Sequence, residues 1–147
     1  MITVEKIIDE VNKLILLDYN YPIYFENIPE VINTNSFGIN LINYKVTSIN
    51  KNTNLENVEL LITYLMQNDS SNPDIIGKEK YKVVDKLKTI FGKGNISIED
   101  RAVKVSVEYK EIINKLGICL NFEYYEDAYI SAETVETIGE LSIKQGL

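Results

Sequence analysis

The chain has 147 residues, with 15 Lys and Arg against 22 Asp and Glu for a formal charge of -7, and 45% of its residues are apolar. That is the size and composition of one globular domain, without the broad basic surface that grips nucleic acid or the run of about 18 apolar residues that spans a membrane. Histidine is absent and Cys119 is the only cysteine, which excludes Ser-His-Asp and Cys-His catalysis, His/Cys zinc sites and any internal disulfide.

The first 18 residues lack the basic flank and small-residue cleavage site of a signal peptide. The expectation is a protein made and folded in a cytoplasm. Val4, Ile7, Ile8, Val11, Leu14 and Ile15 recur at helical spacing, with Thr3 as N-cap and Glu5 in the first turn. Lys6/Glu10 and Asp9/Lys13 stand four apart on the other face, as ion pairs would. Asp18-Tyr19-Asn20 and Pro22 stop the helix.

A short extended piece at Ile23 to Phe25 leads into a polar loop, Asn27 to Asn35. Phe37 to Val46 alternates, with Phe37, Ile39 and Leu41 on one face and Ile42, Tyr44 and Val46 on the other. After an Asn-rich turn, Asn50 to Asn54, the residues Val58, Leu60, Ile62, Tyr64 and Met66 share one strand face, with Leu61 and Leu65 opposite. The two strands form a long hairpin with apolar residues on both faces. A two-layer fold covers one face, so the other needs a cover from a C-terminal arm or a neighbouring subunit.

Pro73 opens a second helix whose stripe is Val83, Val84, Leu87, Ile90 and Phe91, and Gly92 and Gly94 close it. Three strands follow: Ile96 to Ile98, then Arg101 to Lys110 after the turn Glu99-Asp100, then Ile118 to Tyr124. The fold class is α+β, a mostly antiparallel sheet of about four to five strands with two helices packed on one face. Residues 1-127 form one domain, and 128-147 read as a C-terminal arm.

Little here carries chemistry. Gly92-Lys93-Gly94 follows a helix and precedes a strand, the reverse of a phosphate loop, so it reads as a helix cap. Glu126 and Asp127, beside Tyr124 and Tyr125, could serve acid-base or metal chemistry, yet an adjacent acidic pair at a strand end is ordinarily solvated surface. No catalytic residue, cofactor site or metal site is assigned. Residues 78-115 hold 10 bases and 6 acids, 10 − 6 = +4, whereas 123-147 hold 1 base and 6 acids, 1 − 6 = -5. Opposite-sign patches suit either two solvated faces or a head-to-tail contact between identical subunits.

The order and spacing of these elements over roughly Thr3 to Asp127 resemble the phage tail terminator family of Gram-positive phages and phage-tail-like contractile particles. The stretches that carry the resemblance are the N-terminal helix, Ile23-Tyr24-Phe25, Phe37-x-Ile39-x-Leu41, Leu60-x-Ile62-x-Tyr64, the helix ending at Gly92, Val103 to Tyr109, and Ile118 to Tyr124 with Tyr125-Glu126-Asp127. The resemblance implies a structural virion protein, not an enzyme. It implies a homohexameric ring that caps the tail, stops tube and sheath polymerisation, and in complete phages meets the head connector. Headless bacteriocin-like tails would carry the ring as a cap. The partners implied are further copies of the chain, the tube protein and the sheath protein, with no nucleic acid and no membrane. Candidate interface positions are Phe37, Tyr44, Leu61 and Leu65 of the hairpin, Tyr125, and Glu133, Glu136 and Glu140 of the arm. Two other readings stand beside this one: a head-tail completion protein that binds the connector, and a carboxylate-dependent, metal-assisted enzyme using Glu126 and Asp127.

Overall fold

A computed structural model describes residues 1-67, 73-112 and 115-128, with side chains described at 1-67, 77-111 and 116-128. The elements in chain order are α1 (Val4–Asp18), β1 (Ile23–Phe25), β2 (Ser36–Asn50), β3 (Thr53–Leu65), α2 (Pro73–Phe91), β4 (Asn95–Ile98), β5 (Arg101–Ile112) and β6 (Lys115–Asp127).

Helix α1 begins where Thr3, in extended backbone, accepts the Lys6 amide on its hydroxyl at 3.2 Å. It ends where Tyr19 returns to extended backbone, its amide donating to Ile15 O at 2.9 Å. Ile7, Val11 and Ile15 are fully buried. Each contributes about 1.5–3 kcal/mol relative to an exposed side chain. Helix α2 sets Val83, Leu87 and Phe91 into the same core, and Lys86 meets Asp18 of α1 at 3.6 Å. Gly92 follows α2 with its amide on Lys88 O at 2.7 Å. A Cβ at Gly92 would overlap that carbonyl oxygen, so glycine is required at this cap, and the phosphate-loop reading has no place.

The sheet has six strands in the order β1-β2-β3-β6-β5-β4. β1 pairs with β2 in parallel and the remaining pairings are antiparallel. This corrects the expected sheet of four to five mostly antiparallel strands: the protein is broadly α+β, but its sheet is mixed, six-stranded and curled as a half-barrel. The sequence marks β1 as a short extended piece at Ile23 to Phe25, but three residues are too few to reveal its parallel pairing with β2. The loop after it turns the chain so that β2 runs in the same direction, with the Phe37 amide on Pro22 O at 2.9 Å and the Glu26 amide on Ile39 O at 3.1 Å.

A second correction concerns the hairpin of β2 and β3. The ladder slips by one residue between Leu41, opposite Leu60, and Asn43, opposite Glu59. That bulge returns Tyr44, opposite Val58, and Val46, opposite Glu56, to the face of Phe37 and Ile39. Phe37, Ile39, Leu41, Tyr44 and Val46 therefore share one face of β2 instead of dividing between two, while Ile42 and Ile49 fall in the register shifts and are exposed. On the opposite face the loop before β2 supplies cover near the start of the hairpin. A Cβ on Gly38 would lie 2.7 Å from Ile28 Cδ1 and 3.8 Å from Leu65 Cδ1. The chain thus covers Leu65 itself, without a neighbour.

The core is one cluster running from Ile7, Val11 and Ile15 of α1 to Phe37 and Ile39 of β2, Val58, Leu60 and Ile62 of β3, and Leu116, Ile118, Leu120 and Phe122 of β6. Tyr19, Tyr21, Phe37 and Tyr64 pack their rings at one end, with centroids 5.2–6.4 Å apart. At the other end Ile98 and Arg101 close a two-residue turn in which Glu99 and Asp100 take φ of 53° and 64°. The left-handed backbone suits the twist of a hairpin but is costly without glycine. The Lys6 ammonium anchors the turn through the Glu99 carboxylate, and this partner across 93 residues replaces the expected local pair with Glu10.

Candidate functional site

The last two-thirds of β2 reach beyond the helices. Leu41, Ile42, Tyr44, Val46 and Ile49 are 38–51% exposed, although they belong to a strand whose first residues are core. Tyr44 is held in place. Its hydroxyl donates to Glu56 Oε1 at 2.8 Å, and the Tyr124 hydroxyl donates to the same oxygen at 3.0 Å. Glu56 is only 8% exposed, so two donors satisfy a carboxylate that burial would otherwise penalise. Desolvation, followed by the Glu56 hydrogen bond, raises the Tyr44 phenol to about 12. The same causes raise Tyr124. The result is an aromatic ring fixed at its tip and open on its side.

Glu126, a candidate for catalysis or metal binding in the sequence, is a structural staple. It accepts the Ile2 amide at 2.8 Å and two contacts from Arg101 Nη1 at 2.9 and 3.1 Å. Arg101 also donates to Tyr125 O. These bonds tie the start of the chain and of β5 to the end of β6. No group of three or more His, Cys, Asp or Glu residues suited to a metal ion exists among the described residues. Cys119 is buried, and desolvation raises its thiol further from reactivity.

On the same helix-bearing face, toward the β5 edge of the sheet, α2 and β5 leave a groove of about 370 Å³ lined by Val84, Lys88, Val105, Val107 and Tyr109. Tyr109 is 46% exposed at its rim. Lys78, Lys82, Lys86 and Lys88 are exposed on α2, so the basic part of the sequence is a solvated helix face beside this groove.

The candidate interface residues separate. Tyr44 and Tyr125 are exposed and Leu61 is half-buried. Phe37 and Leu65 lie in the interior with 0% and 2% exposure and offer no surface. Glu133, Glu136 and Glu140 fall outside the described residues. Sequence reasoning missed Glu56, whose signal was legible: it is the one acid on the face of Val58, Leu60, Ile62 and Tyr64. It also missed the apolar side of Val107 and Tyr109 as surface, because strand alternation marks an apolar face without saying where its cover stops.

No curated protein matches the chain. One solved structure is similar at 10% identity and a TM-score of 0.39, over 87% of this chain and 97% of that one, a likeness too low to carry an argument. The family described as phage tail terminator protein matches residues 6–136. That span takes in every described strand, the whole of α2 and all of α1 but its first two residues, and the chain belongs to the phage tail terminator family.

Proposed function

We propose that this chain caps the head-proximal end of a phage or phage-tail-like tail as a ring of identical copies, a hexamer, and so stops tube and sheath polymerisation. The family match across residues 6–136 carries the reading. Two features of the molecule support it. The exposed apolar half of β2 is a surface of the kind that another protein covers. The groove between α2 and β5 lies on a different part of the same molecule, and a closed ring requires two different patches that fit each other. Tail tube, tail sheath and, where a head is present, its connector are the partners of such a cap. Headless bacteriocin-type particles would use it as a plain end.

Electron microscopy of tails assembled with and without the chain tests the reading. Tails of uncontrolled length, or sheaths loose at the head-proximal end, are expected without it. Tails of normal length in its absence would sink the capping role.

A further inference from the structure

Two strand edges are open among the described residues. β1 covers β2 only from Phe37 to Ile39, and the Glu26 carboxylate takes the Leu41 amide at 2.9 Å. From Asn43 onward the outer edge of β2 pairs with no strand. Likewise β4 covers β5 only from Arg101 to Lys104, and Gly94 O takes the Val105 amide at 3.0 Å. From Ser106 to Glu111 the outer edge of β5 pairs with no strand. Both edges flank exposed apolar side chains: Tyr44 at 47% and Val46 at 48% on β2, Tyr109 at 46% on β5. Bare edges of this kind are ordinarily blunted or paired.

The two edges fit each other in direction, phase and face. Strands β2, β3, β6 and β5 alternate in direction, so a second copy in the same orientation sets its β2 antiparallel to β5. The Val105 amide points outward, to Gly94, and the two-residue period sends those of Val107 and Tyr109 outward too. On β2 the Phe37 and Leu41 amides point outward. The bulge after Leu41 shifts that phase, so Tyr44 and Val46 carry the outward amides beyond it. On each strand the outward-bonding residues are the ones whose side chains face the helices.

We propose that β2 of one copy adds to β5 of the next as an antiparallel strand, with Tyr44 opposite Tyr109, Val46 opposite Val107 and Lys45 opposite Glu108. This register joins an aromatic pair, a β-branched pair and an opposite-charge pair, each favourable across strands. It also lays Val46 and Tyr44 along the groove lined by Val84, Val107 and Tyr109. A slip of two residues one way sets Lys45 against Lys110, and a slip the other way sets Val46 against Val105, whose amide is taken. Within one copy Lys45 is level with Lys104, through Asn57 and Glu123. Meeting Glu108 therefore displaces each copy by four residues, roughly 13 Å, over four strand spacings of roughly 19 Å in all. That is a strand tilt of about 35°, within the range that closed sheets need.

The proposal deepens the ring reading and rests on head-to-tail association of copies. Two full-length chains test it, both carrying Cys119→Ala, one with Lys45→Cys and the other with Glu108→Cys. They are mixed, free and in assembled tails, and oxidised mildly. A disulfide between unlike chains is expected, about tenfold faster than with Ser106→Cys or Lys110→Cys in place of Glu108→Cys, because Cα atoms more than about 7 Å apart are not bridged without backbone movement. No bond between chains in either setting overturns the proposal, as does faster bonding at 106 or 110. A second variant, Val46→Pro, removes an outward amide and leaves the bonds to β3 intact. It is expected to keep the circular dichroism spectrum of the parent and to lose association. Full association of a folded Val46→Pro chain, or an edge of β2 covered by residues 129-147 of its own chain, overturns the pairing. The two readings fail separately: a disulfide in tails whose length ignores the chain removes the capping role alone, and controlled length without the disulfide removes the pairing alone.

Discussion

Two tyrosines on the same side of the sheet show how a hydroxyl can help or burden a fold. Tyr124 is buried with its hydroxyl on Glu56, whereas the buried Tyr64 hydroxyl makes no hydrogen bond of good geometry and has at best a weak contact with Tyr21. Tyr124→Phe leaves a buried carboxylate short of a donor and is expected to cost about 1–3 kcal/mol, read by denaturant unfolding. Tyr64→Phe removes a buried polar atom that lacks a good partner and is expected to be neutral or stabilising in the same assay. The Tyr44–Glu56 bond also sets a direction with pH. The Tyr44 phenol is raised from 10.0 to about 12, so its folded form holds a proton that the unfolded chain has lost. Its contribution is complete below pH 10 and disappears as pH rises through about 12. Alkaline unfolding followed by circular dichroism is expected to show this loss, and Tyr44→Phe to reduce the slope in that window. The sequence marked Tyr44 as a candidate interface residue, and it is exposed, but nothing there signalled that Glu56 fixes it, because a partner 12 residues away across a hairpin depends on register.

At the scale of the element, periodicity located the long pieces well. The α1 cap at Thr3, the long hairpin, the α2 terminus at Gly92 and the regular alternation of β5 were all legible. What failed was register. The apolar phase changes at Leu41-Ile42, which reads as a strand apolar on both faces, whereas the bulge there keeps Tyr44 and Val46 on the face of Phe37 and Ile39. A bulge is a decision of two strands together, made by Val58 and Leu60 of β3 as much as by β2, so one strand read alone cannot reveal it. β1 was too short to carry a period at all. The loop between β1 and β2 also acts as an element, since Ile28 presses on Gly38. Gly38→Ala is expected to cost about 1 kcal/mol, the low end of overpacking, because Ile28 Cδ1 can swing aside. Adding Ile28→Val should recover part of that loss in a thermal melt, because the offending atom is the tip of a flexible side chain.

For the whole molecule, elimination did much of the work. Absent histidine, a buried thiol and a Glu126 tied to Arg101 and Ile2 narrow the chemistries open to the chain, while the family match is what supports the assembly reading. The candidate interface was only partly legible, since Phe37 and Tyr44 look alike in sequence and differ only in whether a helix reaches far enough to cover them. Charge belongs to this scale as well. The segment 123-147 carries six acids against one base, so Glu133, Glu136 and Glu140 replaced together by Lys are expected to lower incorporation into particles. Quantitative gels of purified tails would measure it, and unchanged incorporation would remove the arm from the assembly.

The alternation of β2, β3, β6 and β5 has one more consequence. With an even number of strands between its two open edges, a sheet extended from copy to copy never reverses its chain sense. Every subunit then presents the β2–β3 turn to one rim and the ring-packed tyrosines to the other. The two rims are chemically unlike by construction, so an object built this way can accept a tube on one side while denying it a place on the other.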